Sequence, residues 1–296
     1  MSGRERAPGR LGFGIIGAGR VGTVLGAALR GAGHAVVGVH AVSEDSRERA
    51  ETLLPEVPLF QIPELLRRSE AVLVAVPEDA LSELVSGLAA AGQWRAGQLV
   101  VHTAARHGVD VLTPAREAGA IPLAITPALE FTGTTLDLAR LEGIPFAVTS
   151  DPLMLPVAQA LVVEMGGEPV PVQEEDRGLF AAALDLAADP LGASAAVAWR
   201  ALRAAGVQDP SRMLSSLLRS GVENALMAGP RAGERAAAAR SPQRVASAVR
   251  ALAGPEAPEF SAGVYAAVVR AATARALAEG VVDESRAAAV LDALGG

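Results

Sequence analysis

Gly12-Phe13-Gly14-Ile15-Ile16-Gly17-Ala18-Gly19-Arg20-Val21-Gly22 is the stretch that decides the fold of this chain. The apolar run Phe13 to Ile16 leads straight into G-x-G-x-x-G, and Val21 to Leu29 then carries helical spacing until Gly31 and Gly33 stop it. A buried strand that runs through such a loop into a helix is the opening unit of a dinucleotide-binding fold. Gly17 permits the tight turn, Gly19 lets backbone N–H groups approach a pyrophosphate, and Gly22 lets the helix lie close on its strand. Arg20 and Val21 stand in the same loop, at the positive end of the helix.

Working outward, Val36 to Val39 reads as the second strand, whose end selects the cofactor in this fold. It continues His40-Ala41-Val42-Ser43-Glu44-Asp45-Ser46-Arg47, with no acid at the strand end to take the ribose hydroxyls of NAD. Ser43, with Arg47 and Arg49 one turn into the next helix, therefore points to NADP, with NAD still open, while a solvated helix face explains the two arginines equally well. Leu59-Phe60 reads as a short third strand and Ile62 to Ser69 as a helix. Ala71 to Val76 is a buried strand, placing Val76 and Pro77 beside the nicotinamide half of the cofactor.

Leu99 to His102 is a further strand, followed by Thr103, which falls at the cofactor edge. His102 is a candidate proton donor, against the alternative that it caps backbone groups. Strands at Ile121 to Ile125, Pro145 to Thr149 and Pro169 to Val172 complete the pattern. From Glu174 onward every segment reads as helix, several opened by cap-and-proline pairs such as Asp209-Pro210 and Ser241-Pro242. The expected architecture is a tail over 1–10, an α/β doubly wound Rossmann-type domain over 11–172, and an all-α domain over 173–296 for substrate and dimerisation.

Composition bounds the chemistry. The chain has 296 residues, no cysteine and four histidines without ligand-like spacing, so disulfides, thiolate catalysis and a metal centre are not expected. All 26 positive side chains are arginine, which excludes Schiff bases and lysine proton donors. Thirteen arginines face 19 acids up to Val172 and 13 face 14 beyond it, so neither part carries the basic excess of a nucleic-acid binder. No uninterrupted apolar run reaches a membrane span, and the arginine-bearing start does not read as a signal peptide. A cytoplasmic enzyme with a small-molecule substrate is expected.

Between Gly178 and Trp199 the only charges are Asp185 and Asp189, four residues apart on one helical face. Carboxylates in so apolar a run need pairing or a function if they are buried. Asp189 precedes Pro190, which predicts that the helix breaks and restarts there with Asp189 as its cap. Asp185 has no such role: it either faces solvent at a helix edge or lines the cleft, and in the second case it ranks first as proton donor, ahead of His102 and Asp189.

The phrases GIIGAGRVG and AVLVAVPEDAL, VVHT followed by HG, a proline-containing strand end before FTG, and EMGGEPV before a helical domain together resemble one group. It is the Rossmann-like family with an uncharacterised C-terminal helical domain, related to ketopantoate reductases and the hydroxyacid dehydrogenase superfamily. The resemblance implies an NAD(P)-dependent reductase that dimerises through its helical domain. This chain departs from the group at His102-Thr103-Ala104-Ala105, where members continue HTS-G, and at Thr126, where they carry histidine. It departs again at Leu186, Asp189 and Pro190, where most have an H-x-x-N-H-like run, and over Gly233 to Ser241. Asp185 and Asp189 stand where the wider superfamily has lysine and asparagine, and imine reductases of similar architecture place an aspartate at the first of these. The expected activity is hydride transfer to C=O or C=N, with non-redox acid/base chemistry or a silent nucleotide-binding protein as alternatives.

Overall fold

The computed structural model describes residues 9–229 and 240–295. Most of the expected 1–10 tail, and the segment over Gly233 to Ser241 up to residue 239, lie outside the described residues. The chain divides into two compact units, Met1–Leu186 and Ala187–Gly296.

The first unit is built on a seven-stranded sheet of order β2-β1-β3-β4-β5-β6-β7. Its strands are β1 (Gly12–Ile16), β2 (Ala35–His40), β3 (Ala71–Val74), β4 (Leu99–His102), β5 (Ile121–Pro127), β6 (Pro145–Ser150) and β7 (Glu168–Pro171). Every neighbouring pair is parallel except β5–β6. Seven helices accompany them: α1 (Arg20–Gly31), α2 (Glu44–Leu53), α3 (Ile62–Arg68), α4 (Glu78–Ala90), α5 (Thr113–Glu117), α6 (Leu136–Arg140) and α7 (Leu155–Glu164).

The strands read as continuous apolar runs because both faces of the sheet are covered. In β1, alternate side chains separate into two cores: Phe13 and Ile15 join Val24, Leu25 and Leu161, whereas Ile16 joins Leu65, Leu81 and Val85. The chain leaves β1 for β2 on one side and returns to β3 on the other. That reversal opens a crevice at the carboxyl ends of β1 and β3, where ligands bind in open α/β sheets.

The expected third strand at Leu59-Phe60 is only a single bridge from Val39 to Leu59, since Pro58 and the start of α3 leave no room for a ladder. The antiparallel β5–β6 pair is held by a side chain that no local pattern singles out. Arg177 is buried, its Nε donates to Thr149 Oγ1 at 2.7 Å, and Nη1 donates to Thr126 Oγ1 at 2.9 Å. Nη2 reaches the Ala124 and Ala147 carbonyls, so one guanidinium stitches both strands together. Burial lowers its pKa to about 10, against the pull of the Glu174 carboxylate.

Arg177 also starts α8 (Arg177–Ala204), which runs 28 residues without a break. The break expected at Asp189-Pro190 is therefore corrected: Pro190 sits inside the helix, whose surrounding turns are long enough to carry one missing N–H. By length and composition alone the helix over residues 174–204 is long and apolar enough to cross a membrane, a property shared with core helices of soluble proteins and with signal sequences. The second unit continues with α9 (Pro210–Ala228), α10 (Pro242–Leu252), α11 (Ser261–Ala278) and α12 (Glu284–Asp292). Side chains of Asp209, Ser241 and Asp283 cap α9, α10 and α12. Its core is a small cluster of Val245, Val249, Val269, Val290 and Leu294.

Candidate functional site

The three glycines of the opening loop differ in what forbids a side chain. Gly17 has φ +97°, and a Cβ there would stand 2.4 Å from the Ala75 carbonyl oxygen. A Cβ on Gly22 would meet the Gly17 carbonyl oxygen at 2.0 Å, so both are demanded by the packing of the chain on itself. Gly19 is different: its backbone is extended (φ −74°, ψ −169°) and a Cβ would meet nothing within 4 Å. The space left open at Gly19 lies at the N-terminus of α1, whose first N–H groups point outward for an anion.

That space belongs to a groove of about 510 Å³. One end holds His40, Val42, Ser43, Ser46 and Arg49, the middle holds Gly17, Ala18 and Gly19, and the far wall holds Val76, Pro77 and Leu84. Ser43 caps α2 by accepting from the Ser46 N–H at 3.3 Å. Of the residues expected to meet a cofactor, Gly17, Gly19, Ser43, Val76 and Pro77 line the groove. Gly22 packs behind it, and Arg20 lies against Gly133. Arg47 and Thr103 do not line it; α2 turns Arg47 outward and presents Arg49 instead, two residues on.

Asp137 positions the wall around Arg20. It is buried and accepts from the Thr132 and Gly133 N–H groups, each at 2.8 Å, and from the Thr132 hydroxyl. Burial acts to raise its pKa, but these hydrogen bonds outweigh that and hold it below the usual carboxylate value.

His102 turns inward. It is fully buried, its Nε2 donates to the Gly108 carbonyl at 2.7 Å, and its Nδ1 accepts from the Ala104 N–H at 3.2 Å. Both ring nitrogens are thus engaged by the loop after β4, and burial pushes the pKa down to about 4. The expectation of a proton donor at His102 is corrected to an internal strut for residues 102–108, because neither nitrogen is available to a substrate. Glu174 fastens the end of this loop by accepting from the Val109 N–H at 2.7 Å.

Glu78, directly after Pro77, fastens its middle by accepting from the Arg106 N–H at 2.7 Å. The Arg106 guanidinium lies 3.3 Å from Glu78 and 3.1 Å from Asp185 Oδ2. The two carboxylates raise the pKa of Arg106. Asp185 is 58% exposed, so the premise of a buried carboxylate does not hold: an ion pair and water share its solvation. Asp189 is exposed as well and lies in the second unit, as does Pro190. Among the described residues no group of His, Asp and Glu has metal-ligand geometry.

Residues 2–127 match the Rossmann-like domain, and residues 144–260 match a domain of unknown function, DUF2520. The chain pairs a Rossmann-like domain with DUF2520. The DUF2520 match starts immediately before β6, so it takes in the last two strands of the sheet together with most of the helical part. No curated protein matches the chain in sequence.

Several solved structures share its fold. A Bacteroides fragilis protein provisionally described as an NADP oxidoreductase superposes with TM-score 0.70 at 21% identity, over 89% of this chain and 98% of that one. An imine reductase from a Pseudomonas species gives 0.63 at 19% identity, over 96% and 99%. A variant imine reductase from Myxococcus stipitatus in complex with NAD⁺ gives 0.58 at 17%, over 97% and 100%. At such identities the likeness is one of fold.

Of the two arginines that the sequence offers after the second strand, the groove takes Arg49 and leaves Arg47 aside. Sequence reasoning passed over Glu78, Arg106 and Asp137, which act through tertiary contacts that no spacing announces.

Proposed function

We propose that this chain is an NAD(P)-dependent reductase that delivers hydride to a C=O or C=N carbon of a small substrate. The observation that carries the reading is Gly19, a residue whose missing side chain serves no contact of the protein's own and opens the groove at a helix N-terminus. The bound nicotinamide would supply the hydride. The chain's own residues cradle the pyrophosphate at Gly17 to Gly19, hold the adenosine end between Ser43 and α2, and wall the nicotinamide end with Val76 and Pro77. Of the three expected proton donors we retain Asp185, which Arg106 links to Glu78, the residue that follows Pro77. The second unit we read as the substrate and dimerisation part, consistent with Leu217, Leu226 and Met227 exposed along α9. The NADP preference and the cytoplasmic setting belong to the same proposal.

Gly19→Val tests it. The variant should fold as well as the parent and lose at least about tenfold in nucleotide affinity, followed by NADPH and NADH fluorescence. Asp185→Asn should retain affinity and lose most turnover. Unchanged binding in the first variant overturns the cofactor reading, and full activity in the second removes Asp185 from the reaction.

Two observations favour a second reading, a nucleotide-binding protein without redox turnover or with acid/base chemistry of another kind: both ring nitrogens of His102 are engaged within its own loop, and Asp185 is already paired. Nucleotide binding without oxidation across keto acids and imines would select this reading.

A further inference from the structure

We propose that Asp137 is a positioning residue for the dinucleotide: it holds Gly133 against the stem of Arg20, and so sets the direction in which the Arg20 guanidinium meets the anionic bridge of the ligand. The inference rests on the reading of the groove as a dinucleotide site. It adds a control from outside the glycine-rich unit, supplied by the connection between β5 and α6.

Asp137 stands in the first turn of α6 and is fully buried, a costly place for a carboxylate. Its oxygens accept from the Thr132 and Gly133 N–H groups, each at 2.8 Å, and from the Thr132 hydroxyl at 3.0 Å. Among the described residues its one cationic partner is Arg140, 3.3 Å away and half-exposed. The carboxylate therefore serves the loop before α6 more than it serves an ion pair. At the other end of that loop Phe131 is buried in the core that also holds Val24 and Leu25 of α1. Gly133 thus lies between two fixed points, both packed toward the helix that opens the groove.

Two separate features require glycine at 133. Its φ is +79°, and a Cβ there would stand 2.9 Å from Arg20 Cγ and 3.2 Å from Arg20 Cα and Cβ. The loop backbone therefore rests on the stem of the Arg20 side chain, which restricts the rotamers by which the rest of that side chain can leave α1. Arg20 follows Gly19 as the first residue of α1, is exposed, and makes no hydrogen bond or ion pair among the described residues. An arginine free in water loses much rotamer entropy when a ligand orders it. Contact with Gly133 removes part of that loss before the ligand arrives, and the unpaired guanidinium then adds its charge to the N–H groups of the helix.

The experiment titrates the full chain and its Asp137→Asn, Gly133→Ala and Arg20→Gln variants with NADPH by fluorescence, using ADP and adenosine as competitors that carry and lack a pyrophosphate. Each variant should lose about tenfold for NADPH and ADP and leave adenosine unchanged. Coupling separates positioning from a merely structural role: Asp137→Asn or Gly133→Ala added to Arg20→Gln should weaken binding no further, because all three act through one guanidinium. Losses that multiply in the double variants, or an Arg20→Gln variant that binds NADPH like the parent, overturn the inference while the cofactor reading stands. Should Asp137→Asn fail to fold, Gly133→Ala decides, since it keeps the buried carboxylate; parental affinity there overturns the inference equally. If the parent binds no nucleotide at all, both fall together.

Discussion

The two units share one alanine- and leucine-rich vocabulary and use it in opposite ways. In the first, Leu25, Leu65 and Leu81 are sealed between sheet and helices; in the second, Leu226 and Met227 are 78% and 88% exposed. The difference is one of geometry. A sheet covered on both faces gives every strand residue a partner, whereas α9 has one buried leucine, Leu214, and solvent on most sides of its second half. Side-chain changes should therefore be expensive in the first unit and cheap in the second.

The strongest attempt to break that comparison is Gly17→Ala. The alanine would need a φ of +97° with its Cβ 2.4 Å from the Ala75 oxygen, at the turn joining β1 to α1. The expected cost is about 3 kcal/mol or more, read as a lowered denaturation midpoint. A variant of parental stability would mean that the loop can be rebuilt, and that its shape does not follow from packing against β3.

His102 sharpens the comparison through pH. Its folded pKa is about 4 against 6.5 for a free histidine, so the unfolded chain takes up a proton that the fold refuses. This contribution to stability is complete above about pH 6.5 and is lost as the pH falls toward 4, by about 3 kcal/mol in all. In His102→Asn the fall in stability between those values should be shallower by that amount, whatever the variant's stability at neutral pH. Parallel pH profiles in the two proteins would show that the ring is not buried neutral.

These two residues also mark what could be read from the chain alone. Gly17 was legible, because a glycine required by a turn after a strand announces itself in the local pattern. The doubly wound sheet and the helical remainder were legible for the same reason, as periods of two and 3.6 in apolar residues. His102 was located at a strand end, but whether it faced a substrate or its own loop depended on Gly108, six residues on, and burial has no local signature. Asp185 was open between a helix edge and the cleft; α8 is largely exposed there, and its partner Arg106 comes from a loop 79 residues earlier, which no local pattern announces. Arg177 was invisible because its four acceptors come from two strands that only the fold brings together.

The smallest effect belongs to the second unit. Leu226→Ser with Met227→Ser exchanges two large apolar side chains on the exposed half of α9, where no described contact depends on them. Each serine costs roughly 0.5 kcal/mol in helix propensity, and burial lost is close to nothing, so the monomer's stability should change by about 1 kcal/mol or less. Self-association is where the change should appear. If α9 is covered by a second copy, the apolar area removed contributes there at roughly 25 cal/mol per Å², and the double variant should sediment as a smaller species than the parent at the same concentration. A loss of several kcal/mol in a protein that is monomeric both before and after would mean that these side chains are packed within their own chain. The contrast between the sealed unit and the open one would then be lost.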